Sequence, residues 1–547
     1  MSLRRALLGL LTAFAVLGLL TGCGILLGIQ DFSGPASHDG GEIAPNSKSE
    51  GGVDARPESA TGTEGGVDSG SDSATGAESG DDSDTGAGGG DAGDGSCSVS
   101  AADSGLGGTL NWAGRFGKTG ATDVASVALD PTSGDVVLTG YLNGTTDFGT
   151  GLVTGGDAGG GGFLAKFDAT GALEWAHVSD GDVNPFAVAV DGSGNVLFAG
   201  VFDGATTFGD GGVTSVGSDD IFLAKFESGG IELWAKHFGA ASGSSLRGVA
   251  FDASGNIYAV GEPPESALDL GCGALPAGSS EFVAEFDPNG VCLWSNPYGT
   301  RTPSNNTQNE TLALDPTGNV FVTGGFYGTV DFGTGSKVAP GSGMDVFVQK
   351  LSPKGAVLWA KTWGTGALTA QATGAATDCG GNLLLDGTFT QTIDFGCNTL
   401  TESGETNNGD IFLAKLDPSG NCVWSESFGD ADAQIGGPLA VDGLGGPAIT
   451  GGFSGTVNFG PDALSGGIED DTSAMYLAKF NSAGTYDWAY AGGPPASNAI
   501  NSYGFGIAAN AAVVVGTGRF QSGTLSLAGD SLTAVSSQDT YVASFAH

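Results

Sequence analysis

The chain has 547 residues, including 101 glycines and 20 prolines, and its 18 Lys and Arg against 61 Asp and Glu give a formal net charge of −43 at pH 7. That much glycine, interspersed with short β-branched and aromatic runs, excludes a mainly helical protein and points to strands. Residues 106–547 alone carry 45 acids against 14 bases, a surface that repels nucleic acid and anionic lipid and so excludes both as partners.

At the start, Arg4 and Arg5 precede an apolar run from Ala6 to Leu19, too short for a comfortable membrane span. Leu20-Thr21-Gly22-Cys23 follows, and the pattern predicts an export signal over residues 1–22. The four residues resemble the lipobox of bacterial lipoproteins. That resemblance implies lipid attachment at Cys23, a durable hold on the membrane through two or more acyl chains, and, with Gly24 rather than Asp next, the outer membrane. Residues 23–105 then form an acidic run of Gly, Ser, Asp, Ala and Thr that buries too little apolar surface to fold. Such a tether spans on the order of 50 Å and holds whatever follows clear of the lipid.

Residues 106–547 repeat one unit. Trp112, Trp175, Trp234, Trp294, Trp359, Trp424 and Trp488 recur at intervals close to 60 residues, a period that indicates a repeat array. In the unit ending at Trp234, Val188-Ala189-Val190, a turn at Asp191 to Asn195, and Val196 to Phe202 read as strand, turn, strand. After a loop with Thr207-Phe208-Gly209 come Phe222 to Phe226, a turn at Glu227 to Gly230, and Ile231 to Ala235. Two hairpins give four antiparallel strands, and such units repeated radially make a β-propeller.

Closure has its own signature. Thr109 to Gly117 is a fourth strand with no preceding three, and the last unit, Ile507 to Phe545, stops after its third. Together they predict an all-β, seven-bladed propeller latched by the N-terminal strand, which also removes exposed strand edges.

The pattern D-x-x-G-N-x-x-x-x-G, then D-F-G, then F-L-A-K-F-D-x-x-G-x-x-x-W resembles the bacterial SBBP β-propeller repeat over residues 109–547. It departs locally, with Asn510-Ala511-Ala512 lacking the turn motif, Glu285 and Ser544 replacing the strand lysine, and Thr207 replacing the D-F-G Asp. The resemblance implies an exported surface protein and no shared catalytic residue. The D-x-x-G-x-x-x-W element is also similar to the tryptophan-docking repeat of quinoprotein dehydrogenases, but those have eight blades.

The turns at Asp191, Asp252, Asp315 and Asp378 supply one Asp and one Asn each, and that at Asp130 two Asp, Asp130 and Asp135, too few oxygens for calcium. Asp147, Asp331 and Asp394 read as strand-end caps beside the apolar anchors Phe148, Phe332 and Phe395. Lys166, Lys225, Lys350, Lys415 and Lys479 extend along apolar surface to meet an acid or a Trp face. His177 and His237 each follow a repeat Trp, and they form no triad or metal cluster.

Cys272 and Cys397 occupy equivalent positions after a strand-end Gly, and Cys292 and Cys422 each lie two residues before a Trp. The coincidence in two repeats predicts the disulfides Cys272 with Cys292 and Cys397 with Cys422. Cys97 and Cys379 remain, paired only by elimination. The sequence thus describes a monomeric, lipid-anchored binding or scaffolding module for a protein or glycan ligand, with no catalytic, cofactor or metal residues. The alternative is an extracytoplasmic enzyme, for example on glycans, with its site in loops at the channel mouth. Acids converging there from several blades would favour the enzyme.

Overall fold

Each repeat folds as it does because its polar residues fall where the backbone must reverse. After Val190, Asp191 Oδ1 accepts the N–H groups of Ser193 and Asn195, both at 2.9 Å. Gly194 takes φ +79°, a left-handed conformation that strains most other residues. On either side Asp182–Val190 and Val196–Asp203 pair antiparallel, and Asp220–Phe226 and Glu232–Phe238 complete a four-stranded sheet. The third strand is buried along all seven residues, whereas the fourth is half exposed. Burying a phenylalanine such as Phe222 in that third strand stabilises by about 2–3 kcal/mol.

The computed structural model describes residues 107–547 apart from 150, 156–159, 210–211, 303–305, 342, 365–368, 405–407, 462, 467–472, 493–501 and 522. The export signal, Cys23, the tether and Cys97 lie outside the described residues. Everything described belongs to one compact unit.

Five sheets stand separately, each named for the first residue of its inner strand: the Asp182, Ser245, Asn306, Ala370 and Gln434 sheets. Each has four antiparallel strands in chain order, and the Asn306 sheet carries a short fifth, Ser336–Ala339. A nine-stranded sheet holds two further sets, one beginning at Thr119 and one at Ser502. A single parallel bridge, Ala121 to Gln538, joins them. As the sequence predicts, Leu110–Phe116 pairs antiparallel with Gln538–Ala546, with Leu110 opposite Phe545 and Phe116 opposite Thr540.

The inner strands contact one another in succession. Thr119–Leu129 touches Asp182–Val190, the series continues through Ser245–Phe251, Asn306–Leu314, Ala370–Thr377 and Gln434–Val441, and Ser502–Ala509 returns to Thr119–Leu129. All regular structure among the described residues is strand, and the architecture is a β-propeller.

Tryptophan seams hold neighbouring sheets together. Trp175 rests on Gly230 of the next sheet, where an added Cβ would lie 2.8 Å from the indole. Trp112, Trp234, Trp294, Trp359 and Trp424 rest in the same way on Gly171, Gly290, Gly355, Gly420 and Gly484. Trp488 rests on Gly108, so the glycine of this last seam comes from the beginning of the described residues.

Candidate functional site at the loop face

The propeller has two chemically different faces. The turns after the first and third strands form a turn face; the longer second-to-third connections and the links between sheets form a loop face. The turn face is a repeated lock. Lys225 Nζ lies 3.0 Å from Asp191 Oδ2, and Lys166, Lys350, Lys415 and Lys479 lie 3.3, 3.0, 2.8 and 2.6 Å from Asp130, Asp315, Asp378 and Asp442. Lys350 and Trp359 both donate to the carbonyl of Pro418 in the next sheet, each at 3.2 Å. Burial pushes each of these aspartates up, but hydrogen bonds from its own turn and the lysine ammonium, joined at Asp442 by a larger contribution from His547, outweigh it and hold the carboxyl below its ordinary value. These turn carboxylates are therefore engaged with their own turns and lysines, and Asp442 also with His547.

The other sequence-predicted residues have local partners. Asp147, Asp331 and Asp394 accept the N–H of Gly149, Gly333 and Gly396 at 2.9, 2.8 and 2.7 Å, above the buried Phe148, Phe332 and Phe395. His177 Nε2 lies 2.7 Å from the Gly230 carbonyl, and His237 Nδ1 lies 3.4 Å from Asp220. Cys272 bonds Cys292, and Cys397 bonds Cys422. No group of three His, Cys, Asp or Glu able to hold a metal occurs among the described residues. Glu285 stands where the lysine would be. It accepts the Trp294 Nε1–H at 2.5 Å, and burial raises its pKa, with the nearby Asp252 adding to the rise.

The loop face is where the repeats diverge. Every inner strand has a register shift five residues before its turn Asp or Asn, around Ala125, Phe186, Arg247, Glu310, Thr373, Gly437 and Phe505. A bulge of this kind re-aims one side chain. Members of this column meet across neighbouring sheets: Arg247 Nε lies 3.8 Å from Glu310 Oε2, and Thr373 donates to the Gly437 carbonyl at 3.3 Å.

Around Arg247 a charged cluster forms between the Ser245 and Asn306 sheets. Glu262 takes Arg247 at 2.8 Å and also pairs with Arg301. Glu281 is fully buried and Glu310 nearly so, and no carboxylate oxygen of either accepts a hydrogen bond within the chain. Burial and the neighbouring Glu310 push the Glu281 carboxyl well above its usual range. In the other separate sheets the Glu281 position holds Ile221, Val346, Ile411 and Met475, all buried and apolar. The buried hydroxyls of Ser280 and Thr307 are also without hydrogen bonds in the chain.

A second loop-face arrangement lies between the two halves of the nine-stranded sheet. The Arg519 guanidinium sits 4.9 Å from the Phe505 ring centre and 5.9 Å from that of Tyr503, and 3.8 Å from Asp123. With Arg115 on Asp539 at 2.8 Å, all four described arginines lie at this face.

Sequence reading missed the two acid–arginine clusters and His547, which contacts Asp442. One signal was available: aligned at F-L-A-K-F, the five repeats of the separate sheets show Glu281 breaking an apolar column.

Against known proteins, no family model matches the chain. It is 24% identical over 331 residues to an uncharacterised WD repeat-containing protein of Acanthamoeba polyphaga mimivirus, covering 48% of this chain and 24% of that one. The chain thus spans about a quarter of that relative's length. Among solved structures, a Bacteroides caccae protein of unknown function matches at 14% identity and TM-score 0.32, over 64% of this chain and 93% of that one. A gluconolactonase of Xanthomonas campestris matches at 12% identity and TM-score 0.29, over 61% and 84%.

Proposed function

We propose that this chain is an exported, lipid-anchored lipoprotein whose seven-bladed propeller binds a protein or glycan ligand through its loop face. The count of seven treats the nine-stranded sheet as two four-strand blades joined by one bridge, beside the five separate sheets. The seven repeat tryptophans and their seven supporting glycines support that count. Disulfides at Cys272–Cys292 and Cys397–Cys422 support an oxidising, exported setting. Attachment at Cys23 to the outer membrane, and likeness to the SBBP repeat, rest on the sequence.

The observation that carries the binding reading is the contrast between faces. The turn face repeats one lock, while the loop face gathers all four described arginines and the irregular column with Phe186, Arg247 and Phe505. Arginine and aromatic side chains together suit carboxylate-bearing or sugar ligands.

A glycan array and a cell-surface pull-down with residues 95–547 test this reading. Ligand captured by the wild type and lost by at least tenfold in Arg519→Ala, with unchanged circular dichroism, is expected. Equal capture by both would contradict it. The buried Glu281 and Glu310, neither hydrogen-bonded within the chain, favour a second reading, an enzyme whose reaction uses a pair of carboxyls. Hydrolysis of a captured glycan that Glu281→Gln abolishes would establish it.

A further inference from the structure

We infer that a cavity on the turn face binds a small aliphatic amine, whose ammonium group takes, between Asp252, Glu285 and the Pro353 carbonyl, the place that a lysine takes in other sheets. The Asn306 sheet supplies the template. There Lys350 Nζ lies 3.0 Å from Asp315 Oδ2, donates to the Pro418 carbonyl of the next sheet at 3.2 Å, and sits 4.5 Å from the Phe321 ring centre. Lys166 and Lys415 repeat the arrangement on Asp130 and Asp378, and on the carbonyls of Ser228 and Ser482.

The Ser245 sheet keeps the parts of this arrangement that surround the lysine. Asp252 closes its turn as Asp315 does, with Oδ1 accepting the N–H groups of Ser254 and Asn256, both at 2.8 Å. Tyr258 stands opposite Glu285 in register, as Phe321 stands opposite Lys350. Trp294 donates to the Pro353 carbonyl at 3.2 Å, the bond that Trp359 makes to Pro418. The same indole N–H donates to Glu285, so the Glu285 carboxyl and the Pro353 carbonyl meet at one group. Two acids therefore stand where the other sheets hold an acid and a base, and no ion pair among the described residues engages either. The repulsion between them adds to the effect of burial on Glu285, and a bound cation relieves it.

The cavity gives such a cation room. Its volume is about 480 Å³, and Asp252 and Pro353 both line it, together with the apolar Phe251, Leu314 and Pro316. Asp315 and Asp378 line it too, but each has its own lysine. Asp252 is half-buried, whereas the five lysine-paired aspartates are buried. An ammonium here gains charge-assisted hydrogen bonds and an aromatic neighbour in Tyr258. A short methylene chain lies against the apolar part of the lining, as a lysine stem lies along apolar surface. The site is independent of the loop face and of whatever binds there.

A ligand-observed NMR titration of n-butylamine, which carries the methylenes and ammonium of a lysine side chain, into the full-length chain tests the site. Saturable binding to the wild type is expected, weakened about tenfold in Glu285→Gln and lost in Glu285→Lys. The second variant rebuilds the pair of the other sheets and is expected to melt no lower than the wild type. The neutral analogue n-butanol is expected not to bind. Lack of saturable binding to the wild type, equal amine binding by the wild type and Glu285→Lys, equal binding of the alcohol, or a lower melting temperature for Glu285→Lys would each overturn the inference.

Discussion

The smallest recurring feature of the propeller is a buried lysine reaching a turn aspartate. Lys350 and Asp315 are both almost fully buried, with Lys350 also 4.5 Å from the Phe321 ring centre. Replacing Lys350 with Met leaves the Asp315 charge buried and unpaired, and is expected to cost about 3–5 kcal/mol. The added change Asp315→Asn recovers most of that, as measured by urea unfolding; a cost within experimental error would contradict the pair. The pH dependence has a definite sign. The folded carboxyl of Asp315 is held below its ordinary value, so its stabilisation is present above the ordinary carboxylate range. It fades as pH falls through the folded value, and the gap between wild type and variant narrows in acid. That each lysine meets an acid or a Trp face was legible in sequence because the lysine recurs among apolar neighbours in each repeat; that the acid is the turn aspartate was not. The Glu281, Glu310 and Arg247 cluster was not, because it depends on how bulges of two different sheets meet.

At the scale of the element, the turn glycines perform two tasks that substitution separates. Gly134 and Gly230 both have positive φ, at +77° and +87°. Around Gly134 an added Cβ meets nothing within 4 Å, whereas at Gly230 it lies 2.8 Å from the Trp175 indole. Gly134→Ala therefore carries only the conformational cost, about 1–2 kcal/mol. Gly230→Ala adds displacement of a seam tryptophan and is expected to cost about 1–3 kcal/mol more. Equal losses in thermal unfolding of the two variants would contradict the seam. The hairpins, their turns and the paired cysteine columns were readable because strand alternation, Asp-x-x-Gly and a shared register are local signals. The inner-strand bulges were not, since a single residue out of register leaves no mark in alternation short of seeing the partner strand.

At the scale of the whole molecule, the first and last described strands close on one another. Trp112 lies in a strand that pairs with the last one, while Gly108, just before that strand, seats Trp488 from the preceding sheet. The sequence showed the complementary ends, a lone fourth strand at one and three strands at the other, because strand count per repeat needs no knowledge of three-dimensional contacts. The loop-face arrangements depend on side chains from separate repeats and were not legible in the same way. The most direct measurement compares thermal unfolding of two otherwise identical chains, one beginning at residue 106 and the other at Lys118. Closure predicts that the shorter chain melts lower, on the order of 10 °C, and that a synthetic peptide of residues 107–117 restores much of the loss. Identical melting temperatures for the two chains would contradict it.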